Sequence, residues 1–364
     1  MASSVVTSID GIHALRDEWE PLASLSGSPM LDHNWMVSCA ETLHEERNLR
    51  LVITRAQGSL TGVAPLALEA GGPGRHLVLL GGSRLYEPGG WLFSSEAALA
   101  ELTAAVIDLR APLLLHRVPS DSRLADALAA FPRSLGVAIK RRASPSLAVN
   151  TSGTWSAYRS SLSRRTLRKF SDGLVAAERA LGPAHIEQLK PYPADVGPLL
   201  EMFVELEHSG WKGRHGSSIR QRQDLARFLE VYCRRAAERR ELRILKLSFG
   251  SQVAAAEISL DAHGRRWVIK IAYCEAFAVY SPGLQLTHAS IRAAFDGRMK
   301  AYEFLGSAED WQRHWRPETR EYHVILAYPW SLPGLFGVCR DAGIALWRRA
   351  AKRRFARQGA NPPP

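Results

Sequence analysis

The stretch that decides the fold is YSPGLQLTHASIRAAF, Tyr280 to Phe295. An apolar, strand-like run, WVIKIAYCEAFAV (Trp267 to Val279), leads into it. The chain then turns on Ser281-Pro282-Gly283 and continues with helical spacing. A strand that turns sharply into a helix gathers backbone N–H groups at a place where the helix dipole favours negative charge. The junction therefore reads either as an anion site or as a plain Pro-Gly turn capping a core helix. Gly283 permits close approach, whereas Pro282 supplies no donor.

Working outward, three strand-like runs precede the junction: LRILKLSFG, QVAAAEISLDAHG and RRWVIKIAYCEA, with turns at Gly250-Ser251 and His263-Gly264. Before them come three helices. WSAYRSSLSRRTLRKFSDGLVAAERALG places Arg159, Arg164, Arg165, Arg168 and Lys169 ahead of any acid, with Thr151, Ser152 and Thr154 as candidate caps. DVGPLLEMFVELEHSGW and RQDLARFLEVYCRRAAERR follow, and KAYEFLGS supplies one more strand after the junction. The pattern is α+β, a mainly antiparallel sheet covered by helices.

The region up to about residue 145 repeats the mixture. GIHALRDEWEPLA carries Ile12, Leu15, Trp19 and Leu22 on one helical face, and HNWMVSCAETL reads as a second helix. LRLVITRAQGSLTGVAPLALEAG is a hairpin turning at Gln57-Gly58. The glycine-rich GGPGRHLVLLGGSRLYEPGG fits neither a dinucleotide fingerprint nor a P-loop, and reads as turns between short strands. A helix, EAALAELTAAVID, and a strand, APLLLHRV, complete it.

A length of 364 residues predicts two domains. The boundaries are read as 1–145, 146–330 and a tail, 331–364. A composition 46% hydrophobic and 23% charged is globular. Cys39, Cys233, Cys274 and Cys339 form no CxxC pair and are expected as small buried hydrophobes; the histidines have no metal-ligand spacing, so no metal is expected. The first residues lack a signal-peptide pattern, which predicts a cytoplasmic protein. A net charge of +11 favours anionic partners. In GIALWRRAAKRRFARQ (Gly343 to Gln358), six Lys/Arg lie between Arg348 and Arg357, with Ile344, Trp347, Ala351 and Phe355 on one face. That reads as a helix lying on an anionic membrane, at the inner face, or as a solvated tail with Trp347 packed on the domain. The final GANPPP is expected to be disordered.

Four segments carry a resemblance: YRSSLSRRTLRKF (Tyr158 to Phe170), SGWKGRHGSSI (Ser209 to Ile219), IAYCEAFAVYSPGLQL (Ile271 to Leu286) and YEFLGSAEDWQRHW (Tyr302 to Trp315). In that order and spacing, about half the chain resembles the CelD/BcsL-type acyltransferases, a branch of the GNAT (N-acetyltransferase) superfamily. The resemblance implies a GNAT fold, with the N-terminal region as a degenerate GNAT-like unit. It implies acyl-CoA, acetyl-CoA first, as co-substrate. The donor pyrophosphate would rest on Tyr280, Ser281, Gly283, Leu284 and Gln285, in place of the usual glycine-rich signature. Trp211 would wall the acceptor site, together with Trp311, and Lys212 would meet a phosphate or carboxylate; the other reading of this segment is a helix C-cap at Gly210 with Trp211 tucked under it. Tyr273, Glu275, Glu303 and Asp310 are the candidate acids and bases, with Glu309 and Glu257 beside them; each also has a structural reading as a solvated or paired group. Glu303 stands where the family usually has Asp. Trp311-Gln312 lacks the lysine often found there, so either Arg313 or His314 substitutes or the substrate differs.

Three functions follow from the resemblance. The first is N-acylation of an amine on a sugar, lipid precursor or small metabolite, in a family often linked to cellulose or exopolysaccharide production. The second is a Fem-like aminoacyltransferase using charged tRNA, the one case in which nucleic acid is a partner. The third is a catalytically silent adaptor of a polysaccharide-synthesis complex.

Overall fold

The computed structural model describes residues 2–70, 75–130 and 132–343. The first part of the chain contributes β1 (Ala2–Val6), β2 (Leu49–Ala56), β3 (Ser59–Ala70), β4 (Arg75–Leu79), β5 (Leu92–Phe93), β6 (Leu113–Pro119) and β7 (Gly136–Arg142). The second contributes β8 (Ser146–Asn150), β9 (Ala184–Leu189), β10 (Leu242–Phe249), β11 (Gln252–Ala262), β12 (Arg265–Tyr273), β13 (Ala301–Glu303) and β14 (Glu318–Arg320). A last strand, β15 (Tyr322–Pro329), returns to the first sheet and lies between β6 and β7. The two sheets run β1-β2-β3-β4-β6-β15-β7, with β5 on β3, and β14-β8-β13-β12-β11-β10-β9.

Helices cover both sheets: α1 (Ile9–Ala14), α2 (Arg16–Ser26), α3 (His33–Leu43), α4 (Gly82–Leu85), α5 (Glu96–Asp108) and α6 (Arg123–Ala129) in the first part. The second part has α7 (Trp155–Ser161), α8 (Arg164–Leu181), α9 (Val196–His208), α10 (Trp211–Arg214), α11 (Gln223–Glu238) and α12 (Pro282–Asp296). Both units use one plan. A three-strand antiparallel meander (β2-β3-β4, β10-β11-β12) passes through a helix (α5, α12) to a strand parallel with the third (β6, β13). The expectation of an α+β fold with mainly antiparallel, helix-covered sheets holds, and the repeated plan is two GNAT-like units.

Local sequence sets the element ends. Ser95 accepts the Ala98 N–H to cap α5, whose Leu99, Leu102 and Val106 are buried. The basic helix expected over Trp155 to Gly182 is two helices. Leu162 is extended and buried, and Ser163 restarts the helix by accepting the Thr166 N–H. Ile12, Leu15, Trp19 and Leu22 are all buried as expected, but α1 and α2 share them. The run to Val279 is not one strand: β12 stops at Tyr273, and a 3-10 turn (Glu275–Tyr280) precedes α12. Tyr322–Pro329, grouped by sequence with the second unit, belongs to the first sheet. Cys39 and Cys233 are buried as expected, whereas Cys339 is exposed.

The units share one core. α3 packs on α11 through Trp35, whose ring meets Phe228 at 5.1 Å and Tyr232 at 4.8 Å, edge to face. Arg235 reaches Glu41 at 2.8 Å, and His263 meets Asp32 at 2.9 Å across the same junction. The expected amphipathic stretch beyond Gly343 lies outside the described residues.

Candidate active site

The site begins where two parallel strands part. β12 and β13 pair at three positions only, Arg265 with Ala301, Arg266 with Tyr302 and Trp267 with Glu303. The chain then turns away at Leu305 (φ 55°) and Gly306 (φ 53°), both left-handed. Left-handed backbone costs a side-chain-bearing residue about 1–2 kcal/mol, which the burial of Leu305 in the shared core offsets. β12 runs on to Tyr273 paired only with β11, its β13 side left open. Between it and residues 304–312 opens a cavity of about 160 Å³.

Four charged residues line this cavity, Glu87 from the first unit and Lys212, Lys270 and Glu309 from the second. Glu87 accepts the Gly306 N–H at 3.4 Å and has no other hydrogen bond among the described residues. Burial holds its carboxyl above the ordinary range, against the pull of Lys270 and Arg117. The Lys270 ammonium has no hydrogen bond or ion pair to a described residue. Burial holds it below the ordinary lysine value, and Glu87 opposes that shift. The two feel each other without pairing, so room is left between them.

Arg117 fixes the loop that carries Glu87. It is fully buried, and its backbone sits at φ 49° where two residues of β6 (His116 and Arg117) oppose one of β15. Such a bulge re-aims a side chain. Its guanidinium donates to the Tyr86 carbonyl at 2.8 Å and lies over the rings of Tyr86 and Tyr322, while its carbonyl accepts the Gly89 N–H at 3.3 Å.

The residues singled out by sequence fall in several places. Lys212 and Trp311 line the cavity. Lys212 is held by Glu207 at 2.8 Å, and Glu207 also accepts the Ile219 N–H at 2.7 Å. Trp311 donates to Glu309 at 2.6 Å and packs edge-on against Phe304. Gln312, where the expected lysine is missing, lines the same cavity; Lys270 and Lys212 bring the positive charge instead.

The other candidates lie elsewhere. Glu303 is buried between Arg265, at 3.0 Å, and Arg320, at 3.2 Å. Glu275 is a tie: it accepts the Trp211 N–H and Arg214, each at 2.6 Å, and Arg214 first, then that N–H, hold its carboxyl below the ordinary range. Trp211 itself is half-exposed. Asp310 is fully exposed and pairs with Arg313 at 3.1 Å. Tyr273 is partly exposed at the end of β12, beside Gly283. Glu257 faces inward, accepting from Ser290 at 2.6 Å and Tyr302 at 2.8 Å; burial pushes its carboxyl up.

The Pro-Gly turn carries a definite backbone account. Ser281 is left-handed (φ 54°), Pro282 occupies the first helical position, and the Leu284 and Gln285 N–H groups both return to the Ser281 carbonyl. Gly283 alone in this first turn keeps an N–H without a partner among the described residues. Gln285 is buried and donates to the Phe170 carbonyl at 2.6 Å, while Leu284 packs into the core. α8 presses on the turn through Gly173, where a Cβ would lie 2.9 Å from the Tyr280 carbonyl.

Glu87 and Lys270 were not among the residues singled out from sequence. Lys270 shows as the one charged residue within WVIKIAY, and Glu87 as the acid of LYEPGG. Nothing in the sequence says that the two meet.

Residues 161–313 match the family model described as the acetyltransferase (GNAT) domain. The cavity and its parting strands lie inside that segment, except for Glu87. No curated protein sequence matches the chain. Among solved structures, FemX is 12% identical, with a TM-score of 0.59 over 93% of this chain and 99% of that one. The C-terminal domain of a putative lysylphosphatidylglycerol synthetase from Agrobacterium fabrum is 8% identical, with a TM-score of 0.55 over 86% and 92%. L-PGS from Bacillus licheniformis is 10% identical, with a TM-score of 0.51 over 89% and 93%. These likenesses show a shared fold that takes in both units.

Proposed function

We propose that the chain is an acyltransferase that moves an acyl group from acyl-CoA to an amine, with the chemistry between Glu87 and Lys270. The observation that carries this reading is the unpaired carboxylate and ammonium facing one cavity where β12 and β13 part, within a GNAT domain. An amine arrives as an ammonium and loses a proton to the Glu87 carboxylate. Its nitrogen attacks the acyl carbonyl carbon, and the Lys270 ammonium steadies the oxygen as it gains charge. The carbon–sulfur bond then breaks, and the thiolate leaves with its electron pair and takes up the second nitrogen proton, so the products are a neutral amide and a thiol. Lys212 and Trp311 border the space for the acceptor, which on this reading is an amine on a sugar, lipid precursor or small metabolite.

The donor's carrier has a second reading. The turn at Ser281-Pro282-Gly283 offers a pyrophosphate one free N–H in the first turn of α12, a sparse anchor. That sparseness, with the whole-chain fold shared with FemX and with the domain of a putative lysylphosphatidylglycerol synthetase, favours an aminoacyl donor carried by tRNA.

Calorimetry with acetyl-CoA, longer acyl-CoAs and free CoA decides between them, run beside filter binding of aminoacyl-tRNA. Binding of acyl-CoA and of free CoA supports the first reading. Binding of aminoacyl-tRNA alone, falling steeply with salt, supports the second. Binding of neither overturns both and leaves an adaptor role.

A further inference from the structure

The helix over 332–343 is built inside out. Its inward side presents Gly334 and Gly337, with Gly337 against Pro112 and Tyr328, and a polar cluster of Arg340 and Asp341 with His76 and Tyr328. Leu332 (86% exposed), Leu335 (46%) and Phe336 (58%) face outward, and so does the thiol of Cys339. Positions 332, 335, 336 and 339 form one stripe at helical spacing. The patch extends onto the body of the first unit: Trp330, 48% exposed, donates its backbone N–H to Leu135, 49% exposed, and its ring N–H to the Arg133 carbonyl.

We infer that this face docks on an anionic lipid surface. Charge selects that occupant. Arg110 and Arg133 are exposed beside the patch, and Ser331 donates to the Arg110 carbonyl. Lys140, Arg141 and Arg142 are exposed along the edge strand β7. Asp341 is turned inward, and the sequence after it has no Asp or Glu but carries Arg348, Arg349, Lys352, Arg353, Arg354 and Arg357. An apolar stripe flanked by cations suits the headgroup region, where the stripe enters the acyl boundary and the cations meet lipid phosphates. No described helix is long and apolar enough to cross a membrane, so the contact is with the surface.

The test is co-sedimentation of the full chain with vesicles of phosphatidylcholine alone and of three parts phosphatidylcholine to one of phosphatidylglycerol. Binding to the anionic vesicles should be at least about ten-fold tighter, and should weaken in high salt. The double variant Leu335→Ser/Phe336→Ser changes only exposed side chains and should lose at least about ten-fold, with unchanged thermal unfolding. Three outcomes overturn the inference: no binding to either vesicle, wild-type binding by the double variant, or a dimer in light scattering that this variant abolishes without any vesicle binding, which would make a second copy the occupant. The measurement needs neither donor nor acceptor, so its result is independent of the acyltransferase reading.

Discussion

Glu87, on a loop of the first unit, and Lys270, on β12 of the second, face one cavity without forming an ion pair. Each is therefore available to a third group. Replacing either should leave the fold intact and slow the reaction. We expect Glu87→Gln and Lys270→Met each to lower kcat/KM by about 10²–10³-fold. Circular dichroism should match the wild type. Full activity of Glu87→Gln would remove the first unit from the chemistry.

The same pair sets a pH profile. Glu87 must be ionised to accept a proton, and burial raises its pKa, so kcat/KM falls on acidification at a pH above the ordinary carboxylate range. Lys270 must be protonated, and burial lowers its pKa, so the rate falls on the alkaline side below the ordinary lysine value. The outcome is a bell narrower than two unperturbed groups would give. Glu87→Gln should remove its acid limb.

Glu303 is held by Arg265 and Arg320, so its replacement should act on stability rather than chemistry. Because both arginines stay about a third exposed, the loss is smaller than for a fully buried pair, about 1–3 kcal/mol. Urea unfolding of Glu303→Gln should show a loss of that order. A large fall in kcat with unchanged stability would return Glu303 to the catalytic set.

The Asp32–His263 pair makes the unit junction sensitive to pH. Hydrogen bonding to Asp32 raises the His263 pKa above its ordinary value of about 6.5. A raised folded value gives stability that is fully present below about pH 6.5 and is lost as pH rises through the folded value. Thermal unfolding from pH 6 to 9 should show this loss, and His263→Gln should flatten it.

Two glycines that look alike in sequence should behave differently. A Cβ at Gly213 would lie 1.9 Å from the His208 carbonyl, whereas at Gly283 it would meet only the Tyr273 ring at 3.5 Å. Gly213→Ala should therefore displace α10, which carries Lys212, and lower both stability and activity. Gly283→Ala should fold like the wild type, with any effect confined to donor binding, which calorimetry reads.

What was legible in the sequence was local. The α5 helix, the hairpin at Gln57-Gly58 and the meander of the second unit each carry their own period and turn residues, and each appears where the pattern puts it. The break at Leu162-Ser163 was masked because helical residues stand on both sides of a serine whose capping role depends on Leu162 being buried. β15 was misgrouped because an apolar strand carries no mark of which sheet it will join. The site divides along the same line. Lys212 and Trp311 sit in segments with their own resemblance, while Glu87 reaches the cavity only through tertiary packing and the buried Arg117. Glu303 and Asp310, acids near the expected cleft, differ by burial and pairing, which one-dimensional spacing does not record.

The position of β15 also orders events during synthesis. β7 pairs only with β15 among the described strands, and β15 pairs with β6 on its other side. When Arg142 leaves the ribosome, the first sheet still lacks the strand between β6 and β7, and the chain must be made through Pro329 before that gap closes. At ordinary elongation rates of about 5–20 residues per second, the wait is roughly 10–40 seconds. The second sheet has all its strands by Arg320, so the part of the chain made last can finish folding first. Leu113, Leu115 and Val118 of β6, all buried in the finished fold, are meanwhile left on an open edge. A stop codon just before Tyr322 would spare all of residues 161–313 and yet leave the opposite unit unclosed, so the loop bearing Glu87 would lose its footing.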